Sequence, residues 1–271
     1  MTYWRVIMSS NKTIHRLNTV NNAISLLTLF LKYESVGLVD IEQGIGISKT
    51  AAFRLVVTMS DRGLLVKDEK TKRYHPGPLL FQLVRKSQVS DVVTISQPFV
   101  QELANLTNES VYISIRTGNK YIYLSGIDST QPVKVTIPFG DETDLYIGAA
   151  GKLHMAFMSS SDIDTYFKRT VLKPFTPETP TDPKQLLEKL AQIREAGYSI
   201  SLGERMSDSG AVAAPIWNQG EEPVATLGIY LPMTRMNSEK QQVLTNFVRD
   251  YASKISTEFK KENDSTKSLT Q

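Results

Sequence analysis

The 271-residue chain contains no cysteine. That absence removes disulfides, thiolate metal sites and cysteine nucleophiles together, and it fits a reducing cytoplasm. Histidine is almost as scarce: His15, His75 and His154 are the only three. They lie far apart with no H-x-x-x-H pair, so no zinc site is expected. No run approaches the roughly 18 consecutive apolar residues of a membrane helix, so no membrane partner is expected. Met1 to Ile14 includes Trp4, Val6, Ile7 and Met8 but neither a continuous apolar region nor an A-x-A-like cleavage site. It does not read as a secretory signal. A flexible arm over residues 1–17, or an alternative start at Met8, is the simpler reading.

The common cofactor and catalytic motifs are missing as well. Gly151-Lys152 resembles the end of a phosphate loop, but position 146 is Tyr rather than Gly and Leu153 stands where Ser or Thr is needed. Gly44-Ile45-Gly46 lacks the third glycine of a dinucleotide fingerprint, because Lys49 occupies that place. No G-x-S-x-G elbow occurs. The pair Glu221-Glu222 precedes Pro223 and reads as a solvated turn. No cofactor is expected, and nothing argues for an enzyme.

What is present is a soluble globular composition, 41% hydrophobic and 22% charged, at a length suited to one large or two ordinary domains. The charge is uneven. Met1 to Lys86 holds 13 basic against 6 acidic residues, a net of +7, and the remainder holds 18 against 22, a net of −4. A basic N-terminal third is the asymmetry expected of a module that meets phosphate.

The N-terminal pattern gives that module a shape. Val20 to Lys32 places Ala23, Leu26, Leu27 and Phe30 at i, i+3, i+4 and i+7, one face of a helix. A short helix over Leu38 to Gln43 follows, then the turn Gly44 to Ile47. Ser48 is a good N-cap for a third helix with Ala52, Leu55, Val56 and Met59 on its inner face, ended by Gly63. Leu64 to Val66 and Lys72 to His75 read as a β-hairpin with a charged tip, closed by Pro76-Gly77-Pro78. Helix, helix, turn, helix and hairpin in this order is a winged helix-turn-helix, expected over residues 18–77.

In such a module the N-terminal part of the third helix enters the major groove of double-stranded DNA. The residues placed there are Ser48, Lys49, Thr50, Phe53 and Arg54. Lys49 and Arg54 suit phosphate, and Arg54 suits guanine as well. Phe53 either touches a thymine methyl or packs sideways into the hairpin. Lys67, Lys70, Lys72 and Arg73 form a basic wing for phosphate or minor-groove contact.

Beyond the module, Leu79 to Ser87 reads as a helix, and residues 78–95 as a connecting helix. Pro98 to Leu106 reads as a helix with Pro98 in its first turn. Strands are expected at Val111 to Ile115, Tyr121 to Leu124, Val133 to Pro138, Ala211 to Ile216 and Val224 to Leu231. Helices are expected at Gly148 to Met158, Ile163 to Val171, Pro183 to Glu195 and Glu239 to Phe259. The fold class is therefore α+β, with a second domain over 96–259 and a polar, disordered tail over 260–271.

These residues resemble the IclR-type family of bacterial transcription regulators. Ile47 to Leu55, Asp61-Arg62-Gly63-Leu64-Leu65 and Tyr74-His75-Pro76-Gly77 resemble its DNA-binding module. Leu145 to Lys152, Phe175 to Thr179, Ile193 to Tyr198 and Ala213-Ala214-Pro215 resemble short signatures of its C-terminal domain, in the same order. The resemblance implies a GAF-like α/β effector-binding domain, homodimers that pair into tetramers, and palindromic operators. It also implies control, most often repression, of catabolic genes by a small organic acid or aromatic effector. The sensing pocket is then expected among Gly140, Leu145, Tyr146, Ala149, Ser201, Glu204, Ser209, Gly210, Gly228 and Tyr230. The chain departs from the family at several of these places. The family often has His at the position of Tyr146, Arg at Glu142, Cys at Gly210, Ser at Gly228 and Tyr230, and a carboxylate near Ser201. Two other readings remain open on sequence: a sensor domain without a ligand that serves only oligomerisation, and a small-acid enzyme using Glu204, Arg205 and Asp208.

Overall fold

The computed structural model describes residues 17–85, 88–218 and 223–268, with side chains described for 17–84, 91–218 and 223–262. It divides into two compact units, residues 1–86 and 87–271. Most of the arm expected over 1–17 lies outside the described residues.

The first unit has three helices, α1 (Asn18–Leu29), α2 (Leu38–Ile45) and α3 (Lys49–Asp61). A hairpin of β1 (Leu65–Lys67) and β2 (Tyr74–Pro76) follows, and then α4 (Pro78–Arg85). Leu26, Ile41, Ala52, Val56 and Leu65 meet in one core. Each element of the first three helices and the hairpin thus gives its apolar stripe to the same centre. Val36, in the connection before α2, exchanges backbone hydrogen bonds with Tyr74 at 3.0 and 2.8 Å, so the wing is tied to the helices. Gly63 ends α3 with φ +72°, and the Leu64 N–H reaches back to the Met59 carbonyl at 2.9 Å. That is the hydrogen bond of a left-handed C-terminal cap.

The second unit is built on a six-stranded sheet in the order β5-β4-β3-β8-β7-β6. Its strands are β3 (Ser110–Thr117), β4 (Lys120–Ile127), β5 (Glu142–Asp144), β6 (Ser199–Leu202), β7 (Ser209–Trp217) and β8 (Pro223–Pro232). Every pairing is antiparallel. Helices α5 (Gln88–Thr107) and α9 (Ser238–Ser268) lie on one face, and α6 (Gly148–Ala156), α7 (Ser160–Arg169) and α8 (Pro183–Ala196) contribute to the other. Strand alternation assigns the faces. Val212, Ala214 and Ile216 of β7 and Leu227, Ile229 and Leu231 of β8 pack with α5 and α9. Ala211, Ala213 and Tyr230 point the opposite way, with Tyr112, Tyr121 and Tyr123. With both faces covered, β8 is buried almost throughout. Helix α6 is buried over all nine of its residues.

The structure corrects four expectations. Val133 to Pro138 forms no strand. Val135 and Ile137 are buried while Val133 and Thr136 are exposed, so the segment alternates like a strand but pairs with none. Pro98 lies inside α5 rather than in its first turn. The single connecting helix over 78–95 is instead α4 and the start of α5, with residues 86 and 87 outside the described set. Helix α9 continues past Phe259 to Ser268, where disorder was expected from Lys260. Strand β6 was not anticipated.

Candidate nucleic-acid interface and sensing cavity

Helix α3 begins as its sequence suggests. The Ser48 Oγ accepts a hydrogen bond from the Ala51 N–H at 3.3 Å, satisfying one of the open donors of the first turn. Ala52, Leu55, Val56 and Met59 are buried, which turns Lys49, Thr50, Phe53 and Arg54 to solvent. Phe53 is 53% exposed, so it does not pack into the hairpin. Among the described residues Lys49 and Arg54 have no ion-pair partner. The face therefore presents two free cations, two hydroxyls and one aromatic ring.

The wing is less uniform than its sequence suggests. Lys67 and Lys72 both pair with Glu69, at 3.2 and 2.7 Å, and these two ammonium groups hold the Glu69 carboxyl below its usual range, Lys72 most strongly. Arg73 is engaged within the domain. Its Nε donates to Ser35 Oγ at 2.8 Å, and its NH2 donates to the Ser35 carbonyl and to Asp40 Oδ2, each at 2.7 Å. Arg73, expected from the sequence to meet phosphate, ties the wing to α2. Lys70, at the exposed tip, has no ion pair among the described residues.

The second unit holds a cavity of about 20 Å³ between the tyrosine face of the sheet and the start of α6. That is close to the space one water needs. Four expected residues line it: Ala149, Ser201, Ser209 and Tyr230. Tyr121 and Tyr123 from β4, Val135 and Ile137 from the irregular segment, and Arg205 and Met206 from the β6–β7 turn also line it. These six were not expected. The tyrosines interlock edge to face, with centroids 5.4 Å apart for Tyr121 and Tyr123 and 5.7 Å for Tyr123 and Tyr230. Burial raises the pKa of all three, so their hydroxyls remain protonated donors.

The remaining expected residues serve around this cavity rather than in its wall. Glu204 is ion-paired with the buried Lys152 and accepts the Gly148 N–H at 3.1 Å, clamping the β6–β7 turn to the start of α6. Gly228 lies beneath the Tyr230 ring: a Cβ there would meet Tyr230 atoms at 2.6 Å, so glycine is what lets the ring lie flat on the sheet. Gly210 faces the opposite side, against Met233 and Met236. Leu145 is buried, and its carbonyl lies against Gly151. The Tyr146 hydroxyl donates to the Lys173 carbonyl at 2.8 Å and accepts from the Lys173 N–H at 3.0 Å, an internal clasp. Gly140 is exposed in a turn with φ +80°.

Arg205, named from the sequence only with Glu204 and Asp208 in the enzyme reading and not as part of a sensing pocket, lines this cavity. Its guanidinium lies 5.5 Å above the Tyr123 ring centroid. Among the described residues four buried side-chain polar atoms have no hydrogen-bond partner, and two of them, Arg205 NH1 and the Tyr230 hydroxyl, belong to this cavity. The alternation of Tyr121 and Tyr123 on one strand was the available signal, because it places two hydroxylated rings on one buried face. Among the described residues no group of three His, Asp or Glu side chains is arranged to hold a metal.

The comparisons agree with this architecture. The IclR helix-turn-helix domain matches residues 19–69, and the bacterial transcriptional regulator IclR C-terminal domain matches residues 85–257. The chain is 31% identical over 241 residues to the HTH-type transcriptional regulator KipR of Bacillus subtilis (strain 168), covering 88% of this chain and 95% of that protein. It is 26% identical over 219 residues to the HTH-type transcriptional repressor AllR of Escherichia coli (strain K12), covering 80% and 81%. The crystal structure of Thermotoga maritima IclR superposes with a TM-score of 0.70 at 25% identity, over 90% of this chain and 99% of that one. An IclR homolog from Microbacterium hydrocarbonoxydans, solved with 4-hydroxybenzoate, gives 0.76 at 18% identity, over 89% and 98%. These relatives are transcription regulators rather than enzymes, and with both domains matched in order the chain belongs to the IclR family of bacterial transcription regulators.

Proposed function

We propose that this regulator binds a palindromic double-stranded operator as a homodimer or a pair of dimers, and represses a catabolic operon in the cytoplasm until a small effector occupies the cavity of the second unit. The observation that carries the DNA half is the outer face of α3. Lys49, Thr50, Phe53 and Arg54 are exposed there around a buried apolar stripe, and both cations are free among the described residues. Surface cations with no partner are suited to displace counterions from phosphate. No helix among the described residues is long and apolar enough to cross a membrane.

The sensing half rests on the cavity beside Tyr230. A second unit used only for oligomerisation has no need of unsatisfied polar atoms in its core, and such atoms call for a specific explanation. Effector binding then acts by shifting an equilibrium between arrangements that space the two recognition helices differently. Half-sites recur at about 34 Å or a multiple, so a modest rotation is enough to lose the fit.

Competition binding tests the reading. Labelled DNA from upstream of the protein's own gene is retained against a large excess of unrelated DNA if the proposal is right. Equal displacement by either competitor contradicts it.

A further inference from the structure

We propose that Phe53 is a specificity-determining residue of the DNA contact: its ring meets the C5-methyl group of a thymine in the major groove of the operator. This rests on the reading of the outer face of α3 as the DNA-binding surface and names one feature of the sequence that this face selects.

The placement follows from the helix. With Ala52, Leu55, Val56 and Met59 buried, the exposed side carries Thr50, Phe53 and Val57 at i, i+3 and i+7. Phe53 is 53% exposed and Val57 39%, so with the Thr50 methyl they form an apolar stripe open to solvent. Lys49 precedes Phe53 by four residues, and Arg54 follows Thr50 by four. At about 3.6 residues per turn each cation therefore stands about 40° to one side of the stripe. Among the described residues neither has an ion-pair partner.

The chemistry follows from the groove. Phosphates run along both walls of the major groove and base edges form its floor, so a stripe flanked by two cations matches it in order. The one alkyl group on a base edge there is the thymine C5-methyl. The other edges present hydrogen-bonding nitrogen and oxygen. A phenyl ring held over those groups removes their water without pairing them, which disfavours guanine, adenine and cytosine beneath it. The free cations on both flanks favour a polyanion over a protein as the occupant of this face. Burial of one thymine methyl changes affinity about fourfold, and two half-sites compound this to about tenfold or more.

Upstream DNA of the protein's own gene, amplified with dTTP or with dUTP, gives two fragments that differ only in the thymine methyls. At fixed salt the purified full chain is expected to bind the thymine fragment about tenfold more tightly than the uracil fragment. Phe53→Ala binds the thymine fragment about tenfold more weakly than the parent, and its preference for thymine falls to about twofold or less. Phe53→Leu, still apolar, keeps part of the preference, whereas Phe53→Gln, of similar reach but polar, loses it. Lys49→Ala keeps the preference and lowers the logarithmic salt slope, which Phe53→Ala leaves unchanged. Phe53 lies outside the buried core of the first unit, so Phe53→Ala is expected to melt within a few degrees of the parent. If it does not fold, Phe53→Leu and Phe53→Gln decide. Loss of the methyls also alters duplex stiffness, but an effect of stiffness persists in the Phe53 variants. Equal binding of the two fragments by the parent, or a preference for thymine that Phe53→Ala and Phe53→Gln retain, overturns the proposal. With selectivity over unrelated DNA preserved, either result leaves the DNA-binding reading of α3 intact. Equal binding of upstream and unrelated DNA overturns both.

Discussion

Arg73 of the wing and Asp40 of α2 are joined by a 2.7 Å ion pair, and the same Asp40 carboxylate accepts the Gly37 N–H at 2.8 Å. One carboxylate thus caps α2 and anchors the hairpin. Arg73→Ala is expected to lower the stability of the first unit by about 1 kcal/mol, discounted because both side chains are partly exposed. It should leave the salt dependence of DNA binding unchanged. Lys70→Ala should do the opposite, reducing the logarithmic salt slope by about 1 with little effect on melting. Thermal melts and salt titrations of the two variants separate the roles. The Gly37 hydrogen bond, with help from Arg73, holds the Asp40 carboxyl below the usual carboxylate range. A depressed folded pKa means that this contribution is complete above about pH 4 and is lost as pH falls through the folded value.

His154 is fully buried in α6, with Nε2 3.4 Å from Ser114 Oγ. Burial, assisted by the charge of Arg116, pushes its pKa from 6.5 down to about 3. The unfolded chain therefore binds a proton below pH 6.5 that the folded chain refuses, and stability falls as pH is lowered from 6.5 toward 3. The loss from this residue is about 1 kcal/mol between pH 6.5 and about 5.5. Denaturant titrations across that window should show a shallower pH dependence for His154→Gln than for the parent. Parallel curves would contradict this account.

Lys152 is 1% exposed and its partner Glu204 12%. Removing one member of a buried pair leaves the other uncompensated, so Lys152→Met is expected to cost about 3–5 kcal/mol. Lys152→Met combined with Glu204→Gln should recover much of that, because no lone charge remains. Urea unfolding of the single and double variants measures both. A single-variant cost under about 1 kcal/mol would show that the clamp on the β6–β7 turn is unimportant for stability.

The first unit was largely legible in the sequence because its signals are local. Leu26, Ala52, Leu55 and Val56 fall at helical spacing, Ser48 caps its own helix, and Gly63 ends it. The second unit was legible where strands are long and rich in apolar residues, as in β8, and less so elsewhere. Val135 and Ile137 alternate with exposed neighbours as strand residues do, yet alternation reports which side chains are buried and not whether a backbone partner exists. Strand β6 is four residues with one β-branched member, too short for periodicity to register. Pro98 is tolerated inside α5, where a local rule places it at a first turn. The contacts of Arg73 and Arg205 were not legible in the sequence, for one shared reason. Each lies in a polar turn that looks solvated, and each meets residues far away in sequence: Ser35 and Asp40 for Arg73, and the Tyr123 ring for Arg205.

The measurement that bears most directly on the central claim is binding of the protein to its own upstream DNA across a range of salt, with Arg54→Ala beside the parent. Arg54 is exposed and among the described residues makes no ion pair, so its removal should not change melting. The account predicts nanomolar, sequence-selective binding that weakens steeply with salt. Arg54→Ala should cost about 1–3 kcal/mol of operator affinity if the side chain reads a base, or about one unit of salt slope if it meets phosphate. Weak binding that is equal for all DNA and indifferent to Arg54 would contradict it.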